Sequence, residues 1–490
     1  MKSMNRVNAR LGISFAIIFF AMCSIGCKKL VQVDPPTTSI TGASVYGSDA
    51  TAIATMTGMY AQMSNTGIFI GSSGISLLAG LSADEWTLYS GAATTDTKFY
   101  YYKNSLSINP AYGSEFWGIL YNYIFACNST LEGLNNSTAL TPAVKQQLLG
   151  EAKFMRGFCY FYLVNFFGDV PLALSSDYTA NAQLSRTAKA LVYQQIIADL
   201  RDAQNLLVDG YVKADGITLY PSNAPEKVRP NKYAASALLA RTYLYDGNWS
   251  GADSAASVII NNSIYSLGAL AGANSVFNKN SSEAIWQLQP VNAGHNTEDA
   301  WLFIISSTGP SSSYPVYLSN SLLNSFESGD QRKTNGNWIN SVTVSGTTYY
   351  YPYKYKSATL NAPVTEYTMV FRLGEQYLIR AEARAQLGNI SGSQTDLNTI
   401  RSRAGLPATT ATDKASLLTA ILHERQVELF TEWGNRWLDL KRTGTVDLVM
   451  GAPGNACAAK GGTWNTNQQL YPILLTDVQK DVNLTQNPGY

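Results

Sequence analysis

Apolar residues recur along this chain at two spacings, and the places where each prevails predict its elements. From Asp49 to about Tyr245 the spacing is helical. The clearest helix opens at Thr141-Pro142, a capping residue followed by proline at the first helical position. It runs to Phe167, where Gly168-Asp169-Val170-Pro171 stops it, and Phe154, Phe158, Phe161 and Tyr162 share one stripe. Ala240 to Tyr245, a turn at Gly247-Asn248, and Ala252, Ala255, Ala256 and Ile259 in register predict a helical hairpin. Ala381 to Gly388-Asn389, followed by Leu397 and Ile400, repeats it. Alanines on facing stripes let paired helices approach closely, which is the packing logic of tetratricopeptide hairpins. Because the two copies are far apart, the pattern predicts a mainly α, tetratricopeptide-like helix-pair scaffold interrupted by an insertion.

The insertion is where the period changes, between about Tyr265 and Thr365. Glu283 to Gln289 alternates like a strand, and Val342 to Tyr355 predicts a hairpin turning at Ser345-Gly346. The remainder is Gly, Ser, Asn, Pro and Tyr, a composition of loops, and loops on a rigid scaffold are where binding resides.

At the amino terminus the pattern has another meaning. Lys2, Arg6 and Arg10 precede an apolar run from Leu11 to Met22, too short for the roughly 20 residues a membrane-spanning helix needs. Ser24-Ile25-Gly26-Cys27 then has the form of a bacterial lipobox. Residues 1–26 are read as a signal peptide, with Cys27 as the lipidated first residue of the mature chain. The stretch 27–49, with Pro35-Pro36 and many small polar residues, is read as a tether.

Composition narrows the partners. A hydrophobic content of 46% supports a large core, and a net charge of +1 with 14% charged residues offers no electrostatic footprint for nucleic acid. Cys127, Cys159 and Cys457 form no disulfide or metal spacing, and the first two sit among aromatic and aliphatic residues as buried small hydrophobes. His423-Glu424, read as the start of a helix, is followed by Val427 where a second zinc ligand would stand. No metal or cofactor is expected. Asp84-Glu85 is the tempting carboxylate pair for glycosidase chemistry, but adjacent residues point different ways, and no nucleophile elbow, phosphate loop or dinucleotide fingerprint is present.

Several blocks also carry a family resemblance. Glu151 to Arg156, continuing through Gly168-Asp169-Val170-Pro171, resembles the most diagnostic stretch of the SusD/RagB family of outer-membrane lipoproteins. Arg372 to Ala383, Asp396 to Leu406, Glu424-Arg425 with Arg436 to Arg442, and Tyr471-Pro472-Ile473 with the ending Gln486 to Tyr490 resemble its later blocks in order. The resemblance implies a single SusD-like domain over 50–490. Within it, 50–264 is an N-terminal helical scaffold, 265–365 a loop-rich ligand-binding part with short β-hairpins, and 366–490 a C-terminal helical part. It also implies a cell-surface, non-catalytic protein that captures oligosaccharide and hands it to a SusC-like TonB-dependent transporter. A peptide ligand and, less favoured, a surface glycoside hydrolase are the alternatives. Glu151, Arg156, Glu375, Arg380 and Glu382 are expected to form structural ion pairs and caps.

Sugars present apolar C–H faces and a rim of hydroxyls, so a weakly charged site wants exposed rings beside amides. Trp117, Trp249, Trp433 and Trp437 lie in helical patterns and are expected in the core, whereas Trp86, Trp301, Trp338 and Trp464 lie in loop-like sequence. The candidate glycan contacts are therefore Trp86, Tyr89, Tyr101, Asn104, Asn296, Trp301, Tyr314 and Trp338, with the Trp86 and Trp301 segments expected to converge.

Overall fold

The computed structural model describes residues 42–490 apart from 66, 110, 452 and 453. The chain divides into two compact units, Met1–Val45 and Tyr46–Tyr490. In the first, Gly42–Val45 forms one helical turn, while the signal peptide, Cys27 and most of the tether lie outside the described residues. The folded body starts at Tyr46, earlier than the expected end of the tether. Its ring is buried against Gly133, leaving no room there for a Cβ, and its hydroxyl donates to Thr130 Oγ1 at 3.2 Å.

Three helices open the body, α1 (Asp49–Ser64), α2 (Ile75–Ser82) and α3 (Thr97–Lys103). The scaffold proper follows as α4 (Glu115–Asn136), α5 (Pro142–Phe167), α6 (Lys189–Leu206), α7 (Lys232–Asp246) and α8 (Trp249–Ile260). Helix α5 has the ends its sequence predicts, but Thr141 does not cap it; its hydroxyl donates to Asp49 Oδ2 at 2.6 Å instead. Residues 154–167 of α5 are buried on every side, as expected of a helix that is apolar all round. Phe154 and Phe158 meet Trp286 edge-on at 5.1 and 6.0 Å, and Phe158 meets Trp433 at 5.7 Å, forming an aromatic centre.

A short helix, α9 (Glu298–Phe303), lies in the insertion. Beyond it come α10 (Leu373–Gln386), α11 (Ile390–Arg403), α12 (Lys414–Glu428) and α13 (Asn435–Arg442). Helices α4 to α8 pack each on the next, and α8 packs directly on α10, although residues 261–372 intervene. The insertion therefore loops out of a continuous stack. Both predicted hairpins form, α7 with α8 and α10 with α11, and their asparagines Asn248 and Asn389 cap the second helix of each. Leu378, Ala381, Leu397, Ile400 and Ile421 close the core between α10, α11 and α12.

The strands are short and pair in twos among the described residues. β1 (Trp86–Leu88), β2 (Ala284–Leu288), β3 (Val316–Leu318), β4 (Ile339–Val344), β5 (Thr347–Pro352) and β6 (Thr368–Arg372) are the ones that bear on the insertion. All pairs are antiparallel: β1 with β3 in the register Trp86 to Leu318, β2 with β6, and β4 with β5. The β4–β5 turn is at Ser345-Gly346, where φ of 50° and 80° gives the twist that a two-residue hairpin requires.

Candidate ligand-binding site

Ion pairs carry the charged residues of the recognisable blocks. Glu151 pairs with Arg229, Arg156 with Asp199, Glu375 with Arg241, Arg380 with Asp396 and Glu382 with Arg442, at 2.5–2.8 Å. Glu428 is held among Arg332, Arg372 and Arg403; burial works against its charge, but the three guanidinium groups outweigh it and keep the carboxylate ionised. His423 stands within α12, not at a helix start, and its Nε2 lies 2.7 Å from Ser325 O.

Asp84 and Glu85 are both buried and point to different partners. Burial pushes the Asp84 carboxyl up, but Arg436, bonded to both its oxygens at 2.8 Å, holds it below the ordinary range. Burial raises Glu85 to about 8, against a hydrogen bond from Thr431 N at 2.9 Å, so Glu85 is a neutral acid at pH 7. Neither faces a solvent cleft as a catalytic pair would.

Among the candidate glycan contacts, the structure separates foundation from surface. Trp86 is 1% exposed: β1 is half-buried with period two, so Trp86 and Leu88 turn inward, and the indole lies 4.7 Å from Phe303 with Nε1 donating to Ser76 O. Tyr101 is buried because Tyr100, Tyr101 and Tyr102 lie on α3, where successive side chains point about 100° apart and only one of three faces inward. Its hydroxyl donates to Glu115 Oε2 at 2.7 Å. Asn104 is buried at the left-handed end of α3, φ 48°, with Nδ2 on Ser82 O. Trp338 is buried among Lys354, Arg372 and Arg403, whose charges lie 4.8–5.5 Å from its ring. Asn296 is buried too; it donates to Ser357 Oγ and Pro363 O and accepts from Thr365 N and Glu366 N, clamping loop 357–366. For these five residues the expectation of an exposed contact is corrected, since each is committed to the fold.

Trp301 is different. It is 39% exposed on α9, and one face of its indole is covered by His295, stacked at 4.2 Å and 18°. His295 Nδ1 lies 2.8 Å from Glu298 Oε1, which also accepts from Asn292 Nδ2 at 2.7 Å, so the ring pair is braced from below. Thr297 caps α9 through Ala300 N. Asn361 N donates to Gly294 O, and a Cβ on Gly294 would meet Leu360 at 2.8 Å, which brings exposed Leu360 beside His295's loop.

The segments of Trp86 and Trp301 meet through Phe303, and Tyr89 N donates to the carbonyl of Pro315, the residue after Tyr314, at 2.7 Å. Both tyrosines are half-buried. Beneath α9 a cavity of about 20 Å³, room for a single water, is lined by Asp299, Phe303, Lys354, Tyr355, Glu432 and Trp433. Burial raises Asp299 to about 7, against a weak hydrogen bond from Gly71 N, and Lys354 is lowered by burial to about 8. His295 and Leu360 were not singled out in the sequence; the stacking partner of Trp301 lies six positions away and is set by the loop path, not by a period.

The geometry defines a helix-pair scaffold that presents a loop-and-hairpin insertion bearing an exposed, braced aromatic pair. Comparison with known proteins agrees. Residues 269–490 match the profile of the SusD family, and residues 87–244 match a profile described as starch-binding, associating with outer membrane. The chain belongs to the SusD/RagB family. It is 24% identical to SusD-like protein P25 of Formosa agariphila, over 96% of this chain and 98% of that one. Surface glycan-binding protein A of Bacteroides uniformis shares its fold with a TM-score of 0.73 and 20% identity, over 90% of this chain and 99% of that one. A laminarin binding SusD-like protein does so with a TM-score of 0.68 and 23% identity, over 90% and 98%.

Proposed function

We propose that this chain is an outer-membrane lipoprotein, anchored through Cys27 and facing the cell exterior, that captures an oligosaccharide and delivers it to a SusC-like TonB-dependent transporter without cleaving it. The observation that carries the ligand reading is Trp301, whose one free face is offered to solvent while His295 holds the other. A pyranose ring stacks its C–H face on such an indole, with the Asn292 side-chain carbonyl and the hydroxyls of Tyr89 and Tyr314 as the candidate polar contacts. Carbohydrate is favoured by the descriptions of the relatives: surface glycan binding, laminarin binding, and the starch-binding profile. The engagement of Asp84 by Arg436 and of Glu85 by Thr431 supports a non-catalytic role.

A glycan array probed with the soluble body, followed by calorimetry on the best ligand, tests this reading. Trp301→Ala is expected to weaken binding by about 1–3 kcal/mol, the size of a central aromatic anchor. Wild-type affinity in that variant would remove Trp301 from the site, and release of reducing sugar from the bound glycan would replace capture with hydrolysis.

A further inference from the structure

Helix α4, which buries Trp117, carries Ile119, Asn122 and Phe125 three residues apart on its exposed face. Phe125 is 51% exposed, and Tyr178, on the turn Tyr178–Asn181, is 80% exposed. Both line a hollow of about 390 Å³. Its floor is fixed, because Trp117 Nε1 donates to Asp477 Oδ2 at 3.0 Å and the Tyr121 hydroxyl donates to Pro171 O at 2.8 Å. Its rim is not. Among the described residues the Asn122 side chain has no hydrogen-bond partner and Lys480 no ion pair, while Asn181 spends its side-chain Nδ2 on Ser175 O at 2.8 Å and leaves its side-chain carbonyl open.

Two uncovered rings over a concave apolar floor, with amides at the edge, match the general makeup of a small-ligand pocket, which runs to about 300–1,000 Å³. A protein partner would instead need roughly 800 Å² of matching surface, and the feature here is a hollow, not a broad face. Lys480 is offset by Asp477 and Asp481, so nothing favours an anionic group. We propose that this hollow is a second carbohydrate site, separate from Trp301, that takes a neutral pyranose or disaccharide against Phe125 and Tyr178, with Asn122 and Asn181 bonding its hydroxyls. It shares no residue with the Trp301 face and rests on the function proposed above only for the ligand class.

The test is carried out on the mature chain carrying Trp301→Ala, with maltose, cellobiose, laminaribiose and mannobiose as probes, read by saturation-transfer NMR and calorimetry. At least one disaccharide is expected to bind, and Phe125→Ala with Tyr178→Ala to weaken it by about tenfold or more. Asn122→Ala is expected to weaken it less. Both rings are exposed, so unchanged circular dichroism is expected in every variant. Undiminished binding in the Phe125→Ala, Tyr178→Ala protein, or no binding of any probe to the Trp301→Ala protein, would overturn the second site and leave the first untouched. Conversely, a Trp301→Ala change without effect on the array ligand would overturn the first site alone. A photocrosslinker in place of Tyr178 that captures an outer-membrane protein, with no sugar bound, would assign the surface to a protein partner and overturn the proposal.

Discussion

Glu85 and Trp86 are consecutive, and both look functional in the sequence, yet each is consumed by the fold. Glu85 titrates near 8 because burial outweighs the bond from Thr431 N. Its folded value lies above the ordinary 4.5, so the native state holds a proton that the unfolded chain has released, and its contribution to stability falls as pH rises from about 4.5 to about 8. Glu85→Gln removes that titration. Relative to wild type, the variant is expected to gain about 2–4 kcal/mol between about pH 5 and about pH 9 in urea unfolding, and a flat difference would mean that Glu85 is ionised in the native protein. Trp86→Ala is expected to cost about 3–5 kcal/mol of stability, since it empties a packed site under Phe303. Trp301→Ala, on the surface, should leave stability within about 0.5 kcal/mol of wild type. Thermal and urea unfolding of the two tryptophan variants side by side distinguishes foundation from platform.

At the scale of elements, the decisive contact is the one that the insertion spans. Arg241 of α7 meets Glu375 of α10 with bonds of 2.6 and 2.7 Å, both groups buried, and the guanidinium lies 4.7 Å from the Phe371 ring. This pair joins the helix stack before and after residues 261–372. Arg241→Ala strands a buried carboxylate and is expected to cost about 3–5 kcal/mol in urea unfolding. Arg241→Met with Glu375→Leu should recover most of that loss, because desolvation of the pair offsets much of its attraction. If the double variant were as unstable as the single one, the pair would be contributing geometry that apolar packing cannot replace.

For the whole molecule, no helix among the described residues is long and apolar enough to cross a membrane. The proposed function places attachment at Cys27, which lies outside the described residues. Cys27→Ala is expected to move the protein from the membrane to the soluble fraction while leaving glycan binding by the body unchanged, as fractionation and calorimetry would read. The tagged wild-type lipoprotein, extracted in mild detergent, is expected to bring down a large barrel protein; its repeated absence would count against delivery to a transporter.

The helices were legible in the sequence because their cause is local. Proline at the head of α5, the Gly-Asn turns and the alanine stripes act within a few residues, and the type I′-compatible Ser345-Gly346 turn does the same for β4 and β5. The structural role of Glu151, Arg156 and Glu375 was implied by the family resemblance of their blocks, though their partners were not. Exposure was decided only by tertiary structure. Trp86, Trp301 and Trp338 stand in similar sequence, yet Phe303 covers the first, His295 covers only one face of the second, and three cations enclose the third. Those neighbours arrive from other segments, and no period along the chain encodes which face of a ring they leave to water.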